Sequence, residues 1–299
     1  MTVARLALLS DRGVVRVAGE DAARLLQGII TNDMDLLARQ PAIHAALLTP
    51  QGKILFAFFV VATPDGSFLL ETSADKTADL AKRISMYRLR AKATIEDASS
   101  AFRVLASWGD PLHRAGETAG SVAFTDPRLP ALGLRILAGA RVATDIAAAA
   151  NGLESPAADY HAHRIALGVP EGGKDYALGD SFPHEADLDL LHGVSFSKGC
   201  FVGQEVVSRM QNRANVRKRV VPIQGDAPLT PGADISAGSA VIGAVGSVAG
   251  AQALAMLRLD RAAEAKSKGE PLTAAGIPIT LRQPAWATFD PAPVSAGSP

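Results

Sequence analysis

No apolar run in this 299-residue chain is long enough to be more than one strand or one short helix. The runs Ala42–Leu48 and Ile54–Thr63 read as strands joined across the turn Pro50-Gln51-Gly52-Lys53. Val3–Val17 reads as strand, turn and strand around Asp11-Arg12-Gly13, and Ser67–Glu71, Lys92–Glu96, Phe102–Trp108, Val122–Phe124 and Leu132–Leu137 as further strands. Helical spacing of apolar residues follows Glu20 and Asp21 through Ile30, and recurs over Ala74–Arg88, Ala143–Ala150 and Tyr160–Ala166. Short strands with a few helices packed on them predict an α+β fold, not a doubly wound parallel sheet. Neither a G-x-G-x-x-G turn nor a P-loop is present.

After Arg219 the texture changes. Val220–Ile223, Ala240–Val248 and Ala253–Leu259 are short β-type runs separated by Gly, Pro and Ser, with helical signal confined to Arg261–Ser267. The pattern predicts a small C-terminal β-barrel or sandwich over 219–289, following an α+β region over 1–218. Residues 290–299 hold no core-forming pattern and are expected to be disordered. From Glu171 to Phe196 the chain is weakly periodic and rich in Gly, Asp, His and Pro, which predicts a functional loop.

The 30 basic and 30 acidic side chains cancel, so no net field draws in nucleic acid or an anionic membrane. The basic run Arg213, Arg217, Lys218 and Arg219 has no interleaved aromatics to stack bases, and reads as a solvated face or an anion patch. No stretch approaches a membrane span, and the N-terminal apolar run is too short for a secretory leader, which gives a cytoplasmic expectation. A single cysteine excludes an intramolecular disulfide and a metal or iron–sulfur site with several thiolates from this chain alone. His184, His192 and Cys200 make a conceivable zinc set, but at no standard spacing, and H-x-H at His161 and His163 is a poor chelate on a helix.

That cysteine lies in Lys198-Gly199-Cys200-Phe201-Val202-Gly203-Gln204-Glu205. Gly199 and Gly203 allow close backbone approach at both ends. Lys198 beside Cys200 favours the thiolate, and a helix opened by Gln204 and Glu205 adds its positive end. The same residues also fit a small buried cysteine in a tight turn.

The octapeptide matches K-G-C-[FY]-[IV]-G-Q-E, the hallmark of the YgfZ family, at every position. Phe182-Pro183-His184-Glu185, Gly193-Val194-Ser195-Phe196, Leu26-Gln27-Gly28, Thr31-Asn32-Asp33 and Tyr87-Arg88-Leu89-Arg90-Ala91-Lys92 match its flanking elements, as do Gly243, Val245, Ser247 and Ala253–Asp260. Over about residues 3–285 the chain thus resembles that family, relatives of the glycine-cleavage aminomethyltransferase that include mitochondrial iron–sulfur assembly factors. The resemblance implies a folate-binding region over 1–218 in two lobes split near 100–155, closed by a β-barrel over 219–289, with tetrahydrofolate as cofactor. It implies Glu185, with Glu205 as competitor, on the pterin edge, and Arg209, Arg213 or Arg217 on the glutamate tail. Gln204, Gly199, Gly203 and Asn32 complete the implied cofactor set.

Tyr87–Lys92 reads as a strand with Arg88, Arg90 and Lys92 on one face, lining an anion-attracting opening or forming a surface stripe. Where the aminomethyltransferases carry a catalytic aspartate after the Q-G-K turn, this chain has Ala57, which transfers no proton. Asp33 is a candidate substitute. The resemblance therefore implies first a folate-binding accessory protein in 4Fe–4S cluster assembly or repair, with iron–sulfur client or assembly proteins as partners. Cys200 is its functional thiol, a possible ligand to a cluster shared with a partner, and Lys198 its electrostatic partner. A folate-dependent aminomethyl or methyl transferase is the alternative, and a folate-binding scaffold without a redox role is the third reading.

Overall fold

A computed structural model describes residues 4–109, 120–149, 153–213 and 216–292. The chain divides into two compact units, 1–160 with 191–204 and 161–190 with 205–299.

In the first unit the strands are β1 (Arg5–Leu8), β2 (Arg12–Ala18), β3 (Ala42–Leu48), β4 (Ile54–Ala62), β5 (Phe68–Ser73), β6 (Thr94–Asp97), β7 (Phe102–Trp108), β8 (Ser121–Thr125) and β9 (Leu134–Gly139). They form two sheets, of order β3-β4-β5-β2-β6 and β1-β7-β9-β8. β1 and β2 therefore do not pair with each other; the intervening turn carries the chain from one sheet to the other. Helices α1 (Ala22–Ile29) and α2 (Thr77–Arg88) cover the larger sheet, and α3 (Ala140–Ala149) packs on the smaller.

β4 shows why its run is continuously apolar. Phe56, Phe58 and Val60 pack with Leu26, Ile29, Leu80 and Ile84 of α1 and α2. Alternate residues Phe59 and Val61 pack with Val104, Ala106 and Leu137 of the other sheet. A strand buried on both faces loses the polar alternation of an exposed one.

The layer between the sheets also holds charge. Arg12 meets Glu71 at 2.6 Å, Arg135 lies between Glu71 (3.4 Å) and Asp126 (3.5 Å), and Arg128 grips Asp126 at 2.7 Å. The Arg128 and Arg135 guanidinium groups lie 4.9 and 5.3 Å from the Phe59 ring centre. Charges this deep are tolerated because each is paired and hydrogen-bonded.

The second unit contains α4 (Ala157–Ala166, shared with the end of the first unit), α5 (from Gln204 to Arg213) and α6 (Leu259–Lys268). Its closed antiparallel barrel runs β10-β13-β12-β11-β14-β15, from β10 (Lys218–Gly225), β11 (Asp234–Ala237), β12 (Ala240–Ala249), β13 (Gln252–Arg258), β14 (Leu272–Ala274) and β15 (Ile277–Leu281). A bulge in β12 between Val245 and Val248 releases the Ser247 amide from the ladder, and it donates to Asp175 Oδ1 at 2.8 Å. Asp175 Oδ2 accepts from Arg164 at 2.7 Å, and Arg164 also donates to Val169 O and Ser247 Oγ. A Cβ on Gly246 would sit 2.7 Å from Asp175 Oδ1, which accounts for glycine there. These bonds explain why 161–190 groups with the barrel, where the expected cut at 218/219 put it with the α+β region.

Two other expectations change. Pro291 is buried, Ala292 packs on the barrel core, and Lys266 Nζ donates to Ala292 O at 2.9 Å, so the disorder expected from residue 290 does not begin there. Residues 293–299 lie outside the described residues. Tyr87 and Arg88 end α2 and β6 begins only at Thr94, so Tyr87–Lys92 is a helix end and turn, not a strand.

Arg164 is 1% exposed, and its loss strands the Asp175 carboxylate in the interior. Arg164→Met is expected to destabilise the barrel unit by about 3–5 kcal/mol in urea denaturation. Arg164→Met with Asp175→Leu should recover a substantial part of that loss.

Candidate functional site

Helix α1 ends with unpaired carbonyls, as every helix does. Lys198 supplies their partners. Its Nζ donates to Gln27 O, Ile30 O and Asn32 O, each at 2.8 Å, matching three donors to three acceptors. The cation also complements the negative helix end and lies 5.3 Å from the Phe201 ring centre. Burial pulls its pKa down to about 8, so it remains mainly charged at neutral pH. All three hydrogens are committed to backbone carbonyls, so none is left to bond the Cys200 sulfur.

The same segment is tied at further points. Thr31 Oγ1 donates to Gly193 O at 2.6 Å and accepts from the Ala46 amide; the Ser195 amide donates to Thr31 O. Asn32 Nδ2 donates to His44 O and His192 O, at 2.7 and 2.8 Å, and its Oδ1 accepts from the Asp33 amide. Thr31 and Asn32 thus stitch residues 192–195 to β3.

At the other end, Gly203 has φ +82°, and a Cβ there would lie 2.6 Å from Thr49 O and 3.0 Å from Gly52 Cα. Only glycine fits against the turn before β4. Gly199 meets nothing within 4 Å, so the close approach exists at one end of the octapeptide alone. Gln204 Oε1 accepts from the Phe201 amide at 3.3 Å as α5 begins. Phe201 is buried and Val202 packs on the core of the first unit. Between these anchors Cys200 is exposed, which excludes the buried-cysteine reading.

A cleft of about 880 Å³ opens in the first unit, lined among others by Asn32, Asp33, His44, Asp126, Ser195 and Phe196. His44 Nδ1 lies 3.2 Å from Leu191 O, so that nitrogen carries the hydrogen and Nε2 keeps its lone pair. Burial, aided by the Arg128 charge, pushes its pKa down to about 3 and keeps the ring neutral. Asp33 Oδ1 accepts from Gln27 Nε2 and the Asp35 amide. Arg128 and Arg135 hold the Asp126 carboxyl below its usual range against the cost of burial. Sequence reasoning missed His44 and Asp126. A histidine inside the apolar run Ala42–Leu48 was the available signal for the first.

The remaining candidates lie elsewhere. Glu185 belongs to the second unit, where its Oε2 accepts from the Phe182 amide at 2.9 Å and its backbone O from Val220 N. Beside it Arg219 is buried against Asp187 and Asp189, at 2.8 and 2.7 Å, so it is part of no solvated face or anion patch. Glu205 is 85% exposed and pairs with Arg209 one helical turn on, which is not the environment of a pterin-holding buried carboxylate. His184 bonds Gln211 Oε1 at 3.0 Å. Among the described residues no three His, Cys, Asp or Glu are grouped so that they could hold a metal, and of the imagined zinc set His184 belongs to the second unit while His192 and Cys200 belong to the first. Ala57 pairs with Ala46 on β3, and its carbonyl accepts from Thr72 Oγ1.

The fold defines the class. The glycine cleavage system aminomethyltransferase T of Bartonella henselae superposes with a TM-score of 0.77 over 96% of this chain and 87% of its own, at 16% identity, so it shares the architecture. Residues 217–289 match the family model described as CAF17, C-terminal beta-barrel domain. Iron-sulfur cluster assembly factor IBA57 of mouse, and that of human, are 34% identical to this chain, covering 81% of it and 72% of their own length. The homologue of the fungus Mycosarcoma maydis is 37% identical over 73% of this chain. The chain therefore belongs to the IBA57 family. It spans only 57% and 56% of two of its fungal relatives. All of these IBA57 relatives are named as mitochondrial, which overturns the cytoplasmic expectation. That expectation rested on leader and membrane-span criteria, which do not test for this organelle. Among the described residues no helix is long and apolar enough to cross a membrane.

Lys198→Met leaves three carbonyls without their donor and is expected to cost about 2–4 kcal/mol in chemical denaturation. Cys200→Ala, at an exposed position, should stay within about 0.5 kcal/mol of wild type. His44 adds a pH dependence. Unfolding frees a histidine of pKa near 6.5 from a fold that holds it near 3, so the unfolded state binds the extra proton between those values. Stability from this group is full above pH 6.5 and falls as pH drops toward 3, by at most about 1.4 kcal/mol per unit. His44→Phe should flatten that part of the stability–pH curve.

Proposed function

We propose that this protein is an accessory factor in iron–sulfur cluster assembly that offers Cys200 to a cluster shared with a partner protein. The observation carrying this reading is an exposed thiol on a loop anchored by Lys198 on one side and by Gly203 against the Thr49–Gly52 turn on the other. A thiolate is a good iron ligand, and clusters take several. One chain with one cysteine supplies one thiolate, so the other ligands come from elsewhere. Membership in the IBA57 family supports the reading, since mouse and human relatives are named as iron–sulfur cluster assembly factors.

The cleft is suited to a folate. Its volume lies within the usual range for small-molecule sites; Leu36, Phe124 and Phe196 offer apolar surface for a flat ring. Asp33 would accept from the amino-pyrimidine edge and His44 Nε2 from a ring N–H. Bound there, tetrahydrofolate supplies a reduced pterin able to carry a one-carbon unit. Of the cofactor residues expected from sequence, Asn32 lines this cleft.

Cells lacking their own family member provide the test. Wild type is expected to restore the activity of a 4Fe–4S enzyme, and Cys200→Ala to fail while remaining folded. Full rescue by Cys200→Ala would refute the thiol role and leave the scaffold reading. In calorimetry with 5-formyltetrahydrofolate, Asp33→Asn should weaken binding by about tenfold or more, whereas Cys200→Ala should not. Equal affinity for wild type and Asp33→Asn would remove folate from the cleft.

A further inference from the structure

From Leu80 to Ile95 the sequence carries Lys82, Arg83, Arg88, Arg90 and Lys92 and no acid, in a chain whose total charges cancel. Lys92 pairs with Glu20. Among the described residues Lys82, Arg83, Arg88 and Arg90 form no ion pair, unlike Arg12, Arg128 and Arg135 in the interior. The end of α2 is therefore locally and strongly positive.

The same stretch exposes apolar side chains. Met86 is 63% exposed and Leu89 88%, the most exposed large hydrophobic residue among those described. Residues three and four apart are neighbours on a helix, so Met86 is flanked by Lys82 and Arg83 a turn before; Leu89 and Arg90 follow in the chain just past the end of α2 at Arg88. Inward-facing residues of this helix, Leu80 and Ile84, with Tyr87 partly buried, already satisfy the core. Burial needs nothing from Met86 or Leu89.

Leu89 is also strained. Its backbone lies at φ +46° and ψ −105°, at the position following α2 where glycine is the usual residue. A Cβ in that region is unfavourable, and an 88% exposed side chain recovers little of the cost by packing. Strain held at an exposed side chain points to a use outside the fold.

We propose that the C-terminal end of α2, with Met86 and Leu89 ringed by Lys82, Arg83, Arg88 and Arg90, docks an acidic protein surface that carries an apolar recess. Met and Arg are enriched at protein interfaces, and an apolar anchor inside a charged rim is the usual arrangement of energy and steering. Two aliphatic side chains without Trp or Phe are a small apolar face for insertion into a lipid surface. Without an exposed aromatic the patch lacks the stacking platform of a nucleic-acid site. This surface deepens the assembly reading: its occupant is the protein that delivers or receives the cluster, and it carries charge opposite to α2.

The test uses the full chain and two labelled amphipathic helical peptides of equal negative charge, one with a leucine face and one with a serine face. Wild type is expected to bind the Glu/Leu peptide roughly tenfold more tightly than the Glu/Ser peptide. Arg83→Glu with Arg90→Glu should abolish binding of both. Leu89→Gly separates docking from folding: it should raise the unfolding midpoint by relieving strain yet erase the preference for the leucine face. Equal affinity for the two peptides, an unchanged preference in Leu89→Gly, or tighter binding to phosphatidylserine vesicles than to the Glu/Leu peptide would each overturn the proposal. In the complementation assay the charge-reversed variant should fold and fail to rescue. Failure of wild type itself to rescue would count against the assembly role, while the peptide result would still decide the docking surface.

Discussion

A single ammonium group ties the 195–204 loop of the first unit to the end of α1. Lys198 Nζ gathers the carbonyls of Gln27, Ile30 and Asn32, and so fixes where α1 ends and how 195–204 crosses it. Everything near the site inherits that geometry. Thr31 and Asn32, held beside the clamp, pin residues 192–195 to β3. β3 in turn carries His44 into the cleft. A lysine in this place does what backbone cannot, since no peptide N–H can answer three carbonyls that converge on one point.

The clamp also changes what the cysteine means. Two neighbouring reactive residues suggest a lysine tuning a thiol, but the lysine faces inward and the thiol faces out. What remains is presentation: an exposed sulfur on a loop whose two flanks cannot easily move. In the proposed role, a donor held at both flanks would lose little conformational freedom on joining a partner's ligands, and pre-organisation of this kind favours binding without new contacts.

Strands were legible in the sequence wherever burial imposed a pattern. β3, β4 and β7 announced themselves because both faces, or one face and a sheet neighbour, demanded apolar side chains. The barrel's β11, β14 and β15 did not, since they are only four, three and five residues long and are closely bounded by Gly, Pro or Ser. Lys198–Glu205 stood out in the sequence as a segment, but the direction of each of its side chains was not legible. That depends on α1, which lies some 170 residues earlier in the chain and supplies the acceptors. The unit boundary was illegible for the same reason. Arg164, Asp175 and Ser247 meet only after folding, and the motif reading of Ser247 gave no sign of its partners. Leu89 shows the converse case: a leucine in Y-R-L-R looks like a strand residue until its positive φ is seen.

The cleft's own groups bear on whether it holds a ligand or moves protons. A general acid or base works best with a pKa near the operating pH. His44 is kept neutral down to about pH 3 by burial beside Arg128, which makes it a poor base and no acid at neutral pH. Asp126 is locked in its ionised form between two arginines. Lys198, whose pKa is lowered to about 8, is not among the cleft's lining residues and has its hydrogens on backbone carbonyls. At the position where the aminomethyltransferase pattern has its acid, Ala57 has only a methyl group, set against the methyl of Ala46 across the ladder. Two of the cleft's groups, His44 and Asp126, are therefore each held in a single protonation state at neutral pH.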